Sequence, residues 1–440
     1  YNSDEINLYL LDFGSETLSL FKNTPQVGDV VFINEKEKII NLFKYISSVL
    51  NVRKKMFREY NGDIINYNKE NNNKISNIII IIKLLENLFD NYPSLEEEFT
   101  SILKECNRYG ISFVATTNGI NGIRNKITQY FLQSIALELK DKYDYASIFN
   151  KKVNVIPNKY KGRGVILYDK PYEFQTCLIC KEDIDENDYI KALNKKLVNA
   201  GNEKVKRIPV LPEKVTFDII KNKLINNKII PIGIEVENLT ILNYEFTTEK
   251  VNVITSMDNN FMYNMIHSLE KNIMSFKNNT LFILNSNKKY NNINNLNIID
   301  KDYYIFIKEL KNYIKKSPLE ITTYIILIGI YEIYNNFSIL EKKEFKNVLS
   351  ELNKKDNFSV IIVDNYYDLK KLEFEEFYKG CIDNNKGIWI GNGIGDQMLF
   401  RVNRIPREYR DNINNSYGFV IESGNIKKIK LIDYYGDEKW

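Results

Sequence analysis

The hydrophobic pattern of this chain changes period repeatedly. Ile6–Leu11 alternates with period two and predicts a strand, which runs into Asp12-Phe13-Gly14. Glu35–Tyr60 carries apolar residues near a 3.6 spacing (Ile39, Ile40, Phe43, Ile46) and predicts a helix. Ile78–Ile82 is apolar throughout, as expected of a strand buried on both faces of a parallel sheet. Ser94-Leu-Glu-Glu97 reads as a capping box that opens a helix. Leu95, Phe99, Ile102, Leu103 and Cys106 share one face of that helix, so Cys106 is expected in the core. Gly110 ends it, and Ile111–Ala115 is the next strand. Strands alternating with helices predict an α/β domain with a mostly parallel sheet.

The same pattern returns further along. Gly201–Pro212 combines charge, a glycine and two prolines, and a boundary is placed there, between residues 204 and 205. Beyond it, Asn279–Leu284 parallels Ile6–Leu11, Tyr324–Ile328 parallels Ile78–Ile82, and Phe358–Val363 parallels Ile111–Ala115. Tyr417–Glu422 with Lys427–Ile432 parallels Gly164–Tyr168 with Glu173–Ile179. Order is kept and spacing is nearly constant, which reads as an internal duplication. The second copy opens with a strand, a loop and a helix around residues 251–275. Their counterpart in the first copy is expected to precede Tyr1, so the chain is expected to be a piece of a longer protein.

That opening carries the most telling chemistry. Val251–Ile254 enters a loop where a phosphate-binding G-x-x-x-x-G-K-[ST] would lie. The two glycine positions hold Thr255 and Asn260, the lysine position Phe261 and the hydroxyl position Met262. Phenylalanine and methionine offer neither a cation nor a metal-binding oxygen. Each missing charge-assisted hydrogen bond is worth about 1.5–3 kcal/mol.

Composition narrows the classes. Of 440 residues 44% are hydrophobic and 27% charged, which excludes wholesale disorder and suggests two or three domains. With 61 Lys and Arg against 57 Asp and Glu, the net charge of +4 is too small to argue for nucleic acid. Ile78–Ile82 is broken at once by Lys83, far short of the roughly 18–20 residues a membrane helix needs. No signal peptide is expected. Cys177-Leu-Ile-Cys180 has no second pair beside it, and His267, the sole histidine, is read as a plain helix residue, so no zinc site is expected. The thiols are expected reduced. Asp12-Phe13-Gly14 lacks the glycine-rich loop, H-R-D and A-P-E of a kinase.

Several segments, in order, carry a resemblance. They are Asn7–Thr17, Val27-Gly-Asp-Val30, Arg53-Lys-Lys-Met-Phe-Arg-Glu-Tyr60, Tyr109–Asn118 and Lys161-Gly-Arg-Gly164. In the second copy they are Ile230-Pro-Ile-Gly-Ile-Glu235 and Gly387-Ile-Trp-Ile-Gly-Asn-Gly-Ile-Gly-Asp-Gln397. Over nearly the whole chain the pattern resembles the FtsK/SpoIIIE-type motor ATPases, and within them the EssC/YukB branch of type VII (ESX/WXG100) secretion. The resemblance implies tandem RecA-like P-loop NTPase domains, the first, residues 1–204, lacking its N-terminal part, and the second spanning 205–440. It implies ATP and Mg2+ as cofactors, with none bound in the second domain. It implies WXG100-type secreted substrates and other secretion components as partners, a hexamer in the full protein and no nucleic acid. Localisation is implied at the cytoplasmic face of the membrane, through an anchor outside this otherwise soluble segment.

Departures matter as much. The family ends one strand of each motor in an acidic residue that orients magnesium and water. Lys83 stands at that point in the first copy and Gly329 in the second. Asp364 imitates the missing acid but by order belongs to the next strand, with Thr116-Thr117-Asn118. Glu86 and Glu332 are read as solvated helix starts. The segment thus lacks intact phosphate-loop and metal-orienting residues, and no ATPase activity is expected of it alone. In the first copy the resemblance places Thr116, Asn118 and Arg163 near a nucleotide held by an upstream P-loop. The alternatives are a DNA translocase of the same family, which calls for a basic channel and a following winged helix, and a non-enzymatic assembly scaffold.

Overall fold

The structure, a computed structural model, describes residues 1–119, 122–181, 183–201, 203–221, 226–247, 251–286, 303–410 and 413–433. The chain forms two compact units, Tyr1–Val210 and Leu211–Trp440. The division falls after Val210 because the preceding residues are held by the first unit. Val205 and Ile208 enter its core, Val205 N donates to Pro25 O, and Asn41 Nδ2 donates to Pro209 O at 2.9 Å.

In the first unit, β1 (Ile6–Asp12), β2 (Val27–Phe32), α1 (Lys36–Met56), α2 (Ile64–Glu70) and β3 (Asn77–Lys83) come first. Then follow α3 (Leu85–Asn91), α4 (Glu96–Leu103), β4 (Ile111–Ala115), α5 (Asn125–Thr128), β5 (Ile135–Leu137), α6 (Lys142–Phe149), β6 (Arg163–Leu167), β7 (Pro171–Gln175) and α7 (Glu186–Asn199). The parallel sheet runs in the order β2-β1-β3-β4, and β5-β6-β7 form a separate antiparallel sheet. Helix α1 buries Ile39, Phe43 and Ile46 of the expected stripe, together with Leu42 and Leu50, against Ile78, Ile80 and Ile82, while Ile40 is only partly buried. Each fully buried isoleucine contributes about 1.5–3 kcal/mol. Cys106 lies in the same core. The expected capping box at Ser94 does not form. Pro93–Leu95 instead makes a 3-10 turn, and α4 begins at Glu96 without a side-chain cap.

The second unit contains α8 (Phe217–Lys221), β8 (Ile229–Glu235), β9 (Ile241–Glu245), β10 (Val251–Ser256), α9 (Asn259–Met274), β11 (Asn279–Asn285), α10 (Tyr303–Lys316) and β12 (Thr322–Ile328). It continues with α11 (Ile330–Asn335), α12 (Ile339–Leu352), β13 (Phe358–Asn365), α13 (Tyr366–Leu372), α14 (Glu376–Cys381), β14 (Lys386–Ile390), β15 (Tyr417–Glu422) and β16 (Asn425–Leu431). One sheet runs β11-β12-β13-β10-β14-β15-β16-β8-β9, parallel as far as β14 and antiparallel beyond. Helix α9 covers one face with Met262, Met265, Ile266, Leu269 and Ile273. Helices α10 to α14 cover the other. Such a sheet is buried on both sides, which is why Tyr324–Ile328 of β12 and Val360–Val363 of β13 read as unbroken apolar runs.

The two units repeat one motif. Parallel β1-β3-β4 matches β11-β12-β13, and antiparallel β5-β6-β7 matches β14-β15-β16. The ladders fix the register. Thr116 N donates to Ile82 O, and Gly329 N to Val363 O. Thr116 therefore corresponds to Val363, Thr117 to Asp364 and Leu84 to Gly329. Both Leu84 (φ 60°) and Gly329 (φ 72°) take the left-handed conformation just before α3 and α11. Lys83, one residue earlier, corresponds to Ile328, so the strand-end position drawn from sequence is offset by one residue between the copies.

Candidate functional site at the strand ends

Ligands of open parallel sheets bind beyond the carboxyl ends of the strands, where the strand order reverses. In the second unit that place is the end of β10, flanked by β13 and β14. Only Met257 and Asp258 separate β10 from α9. Asp258 N donates to Ser256 Oγ at 3.1 Å, closing a tight turn. Asn365 Nδ2 donates to Met257 O at 3.0 Å while Asn365 Oδ1 caps α13 through Tyr367 N at 2.9 Å. Thr255 is fully buried, and its Oγ1 donates to Asp364 O at 2.8 Å. Met262 is buried in the core. Asn260 and Phe261 fall within α9, but their side chains lie outside the described residues. The Met257 side chain lies against Gly393, where a Cβ would come within 2.4 Å of Sδ.

The glycine-rich run 387–397 explains itself structurally. Gly387 lets the Phe400 ring lie on β14, Gly391 and Gly393 take positive φ, and buried Trp389 donates from Nε1 to Asn392 O at 2.8 Å. Gln397 ties the loop by accepting from Leu399 N and Phe400 N and donating to Phe400 O.

Asp364 sits beside this turn, 7% exposed. Its Oδ2 accepts from Tyr331 N at 2.9 Å and its Oδ1 from Asn365 N at 2.8 Å. Burial pushes its carboxyl up to about 6, against those two hydrogen bonds, and the nearby Asp368 and Glu332 add to the rise. Glu332 is exposed. Lys371 pairs with Asp368 at 2.8 Å and lies over the Tyr331 ring.

The first unit gathers different chemistry at the same place. Lys83 Nζ lies 2.8 Å from Ser15 Oγ, 2.7 Å from Thr17 Oγ1 and 3.5 Å from Asp12 Oδ1. Asp12 is buried and also accepts from Gly14 N and Leu18 N. Burial would raise its carboxyl, but these two N–H groups and Lys83 outweigh it and hold the group below its usual range. Thr116 Oγ1 accepts from Leu84 N, and Asn118 N donates to Glu86 Oε1 at 3.0 Å. Thr116, Asn118, Lys83 and Asp12 thus meet at the strand ends. Arg163 begins β6 in the other sheet and pairs with Glu173 at 3.3 Å, over the Tyr160 ring. Sequence places Asp12, Ser15 and Thr17 in a segment that carries the resemblance but gives them no role, because only the parallel register of β1 and β3 brings them to Lys83.

Other features stay outside the site. Cys177 is exposed, and Cys180 donates from Sγ to Ile184 O. Partial desolvation and then Glu186, Asp185 and Asp183 keep the Cys180 thiol above its usual range, against redox reactivity. No cluster of metal-binding side chains occurs among the described residues. His267 faces Glu270 on α9 at 3.5 Å. Two surface cavities, of about 250 and 430 Å³, are lined by Tyr378, Lys379 and Arg401 and by Asn2, Asn7 and Lys204, away from these strand ends. No described helix is long and apolar enough to cross a membrane.

The strand order of the second unit, partly repeated in the first, is that of tandem RecA-like domains, the P-loop NTPase fold. No protein-family model matches the chain. YukB, an ESX secretion system protein of Bacillus subtilis, is 27% identical over 259 residues, 57% of this chain and 17% of YukB. EssC, a type VII secretion system protein of Staphylococcus aureus, is 24% identical over 271 residues, 57% of this chain and 18% of EssC. Among solved structures, EssC ATPases 2 and 3 from Geobacillus thermodenitrificans match 99% of this chain and 86% of that one, with a TM-score of 0.85 at 17% identity. The Thermomonospora curvata EccC ATPases 2 and 3, solved with a signal sequence peptide, match 99% of this chain and 83% of that one at 0.58 and 16% identity. In sequence and in fold the chain is similar to the EssC/YukB/EccC ATPases of type VII secretion. It spans less than a fifth of the length of the curated relatives it matches.

Proposed function

We propose that this chain is the cytoplasmic, tandem-ATPase segment of a type VII secretion motor, and that its second unit recognises partners instead of hydrolysing ATP. The β10–α9 turn carries the proposal. Ser256, Met257 and Asp258 place a thioether and an acid where a P-loop presents backbone N–H groups and a lysine. Asn365 and Gly393 hold that turn from two sides. A phosphate there would meet the Asp258 carboxylate with no lysine from the turn to offset it.

In the first unit a cation, Lys83, replaces the metal-orienting acid, so nucleotide held there would regulate more readily than it would be hydrolysed. ATP, Mg2+, Thr116 and Asn118 belong to that binding reading, with Arg163 directed to a nucleotide of a neighbouring subunit. Export of WXG100-type proteins, a membrane anchor outside this chain and a hexameric assembly follow from similarity to the secretion ATPases. A signal sequence peptide is bound in the T. curvata relative's structure, which favours peptide recognition here as well.

The test has two arms. The purified chain with ATP and Mg2+ is expected to show no measurable turnover, and a WXG100-type C-terminal tail is expected to pull it down. Robust turnover that is abolished by changing Phe261 or Gly329 would overturn the first statement. Absence of tail binding at high micromolar concentration would overturn the second.

A further inference from the structure

Arginine is scarce in this chain and unevenly placed. Of 61 Lys and Arg residues only ten are arginine, and residues 211–440 hold four, all within Arg401–Arg410. In the first unit most arginines are engaged: Arg53 at three carbonyls, Arg108 at Asn61 O, Arg124 with Glu96 and Arg163 with Glu173. Arg401, Arg404, Arg407 and Arg410 are all exposed, and none makes an ion pair or a side-chain hydrogen bond with a described residue. The only acid in their run is Glu408.

The segment between β14 and β15 that carries them is pinned from below. Val402, Ile405 and the buried Tyr409 pack on the core, and the arginines between them stay exposed. Arg401 N donates to Asn384 O, Asn403 N to Gly424 O, and the Tyr409 hydroxyl to Glu237 Oε1 at 2.8 Å. Gly395 makes room for the Arg410 stem, since a Cβ there would come within 3.0 Å of Arg410 Cγ. At about 3.3 Å per extended residue, successive arginines lie at most about 10 Å apart. The row starts at the cavity of about 250 Å³ that Arg401 lines with Lys379 and Tyr378. Tyr378 is 2% exposed, and its hydroxyl has no hydrogen-bond partner. The acids of the cavity are engaged: Glu373 accepts from Lys370 Nζ at 2.5 Å, and Asp383 Oδ1 from Asn385 N and Nδ2. The Asn384 amide, unpaired at Oδ1, can turn to present Nδ2. The unspent capacity of the cavity is therefore mostly that of donors.

We infer that Arg401, Arg404, Arg407 and Arg410 form a docking ridge for an acidic helix of a protein partner, with one of its carboxylates seated in the cavity at Tyr378 and Arg401. Attraction of charge alone would be met by lysine, the cation this chain uses nearly everywhere else. A planar guanidinium adds a two-point fit to a carboxylate that a folded partner holds in place. A fluid anionic lipid surface attracts lysine and arginine about equally, so it gives no reason for the choice of arginine. A nucleic acid strand carries a charge roughly every 3.4 Å along its axis, far more densely than this row. A helix presents side chains one or two turns apart on one face at about 5 to 11 Å, which suits it. The ridge does not depend on what the β10–α9 turn binds or on the tail recognition proposed above.

Two synthetic helical peptides of one composition test it, with four glutamates along one face in the first and spread around the helix in the second. Fluorescence anisotropy with the whole chain at about 0.15 M salt is expected to show the first bound at least about 10-fold more tightly. Arg401→Lys, Arg404→Lys, Arg407→Lys and Arg410→Lys together keep the charge and the exposed stems. That variant is expected to keep the parent's thermal midpoint and to lose at least about 10-fold in affinity for the first peptide. Tyr378→Phe is expected to weaken the first peptide at least about threefold. Equal binding of both peptides, full affinity in the lysine variant or no binding at millimolar peptide overturns the inference. Unchanged affinity in Tyr378→Phe overturns the seat in the cavity. Tighter binding of phosphatidylserine vesicles or of an oligonucleotide also overturns the inference, and makes lipid or nucleic acid the occupant.

Discussion

Lys83 Nζ and the buried Asp12 Oδ1 lie 3.5 Å apart across the β1–β3 pair, where the two residues are ladder partners. Lys83 is three-quarters buried at its side chain and also meets the hydroxyls of Ser15 and Thr17. It does locally what a bound cation would do, gathering a carboxylate and two hydroxyls into one cluster. Lys83→Ala should leave Asp12 buried with N–H partners only, at a cost of about 1–3 kcal/mol. Lys83→Asp should cost more, because two carboxylates then share one desolvated corner. Urea unfolding of the first unit checks both, and a Lys83→Asp variant as stable as Lys83→Ala would refute the charge argument. Asp12 also sets a sign with pH. Its carboxyl is held low, so its contribution is present above the unfolded value and fades as pH falls through the folded one.

Gly393 has φ +88°, and a Cβ there would approach Met257 Sδ within 2.4 Å. Gly393→Ala should therefore destabilise the second unit twice over, by about 1–2 kcal/mol of backbone strain and by displacing Met257. Adding Met257→Ala removes the collision but not the strain. A double-mutant cycle should then show a favourable coupling of about 1 kcal/mol. Strict additivity would mean that Met257 does not fill the turn.

The alternation of periods made most of this fold legible. Val360–Val363 is a continuous apolar run because both faces of β13 are buried, whereas Ile78–Ile82 buries Ile78, Ile80 and Ile82 fully and Ile79 and Ile81 only in part. Ser94 misled because a local capping signal yielded to the 3-10 turn begun by Pro93. The match between the ends of β3 and β12 was blurred for a related reason. Leu84 adopts a left-handed conformation that sequence assigns to glycine, so Gly329 looked like the partner of Lys83 instead of Leu84. At the site, Met262 proves to be a core residue of α9, which its place on an apolar helix face foreshadows. The cluster of Asp12, Ser15, Thr17 and Lys83 is not foreshadowed, because it joins distant strand ends through the parallel register.

Asp364 gives the second unit an opposite pH response. Its carboxyl is raised to about 6 in the folded state by burial, so folding retains a proton that the unfolded chain has released. Stability from this group is greatest below about 4 and declines as pH rises to about 6, then levels. Asp364→Asn keeps an acceptor for Tyr331 N and removes the buried charge. The variant should be more stable than the parent at pH 7 by about 1–3 kcal/mol, or several degrees in Tm. It should also lose the decline between pH 4 and 6. Thermal unfolding across that range decides it, and an unchanged slope would show that Asp364 is not the group responsible.

Arg53 accounts for one of the segments that carried the family resemblance. It is 5% exposed on α1, and its guanidinium donates through Nη1 to Tyr109 O at 2.7 Å and Gly110 O at 3.1 Å, and through Nη2 to Ser76 O at 2.7 Å. Burial lowers its pKa to about 10, so it stays charged at neutral pH. The fork thus ties α1 to the loops that enter β3 and β4, and it holds the chain at Gly110, which turns with φ +69°. Arg53→Ala leaves three carbonyls without this donor and should cost about 3 kcal/mol. Arg53→Lys keeps the charge but cannot span both loops with one ammonium, so it should recover less than half of that loss. Chemical unfolding of the two variants separates the contributions. Full recovery by lysine would show that charge alone, without the planar fork, holds β3 and β4 in register with α1.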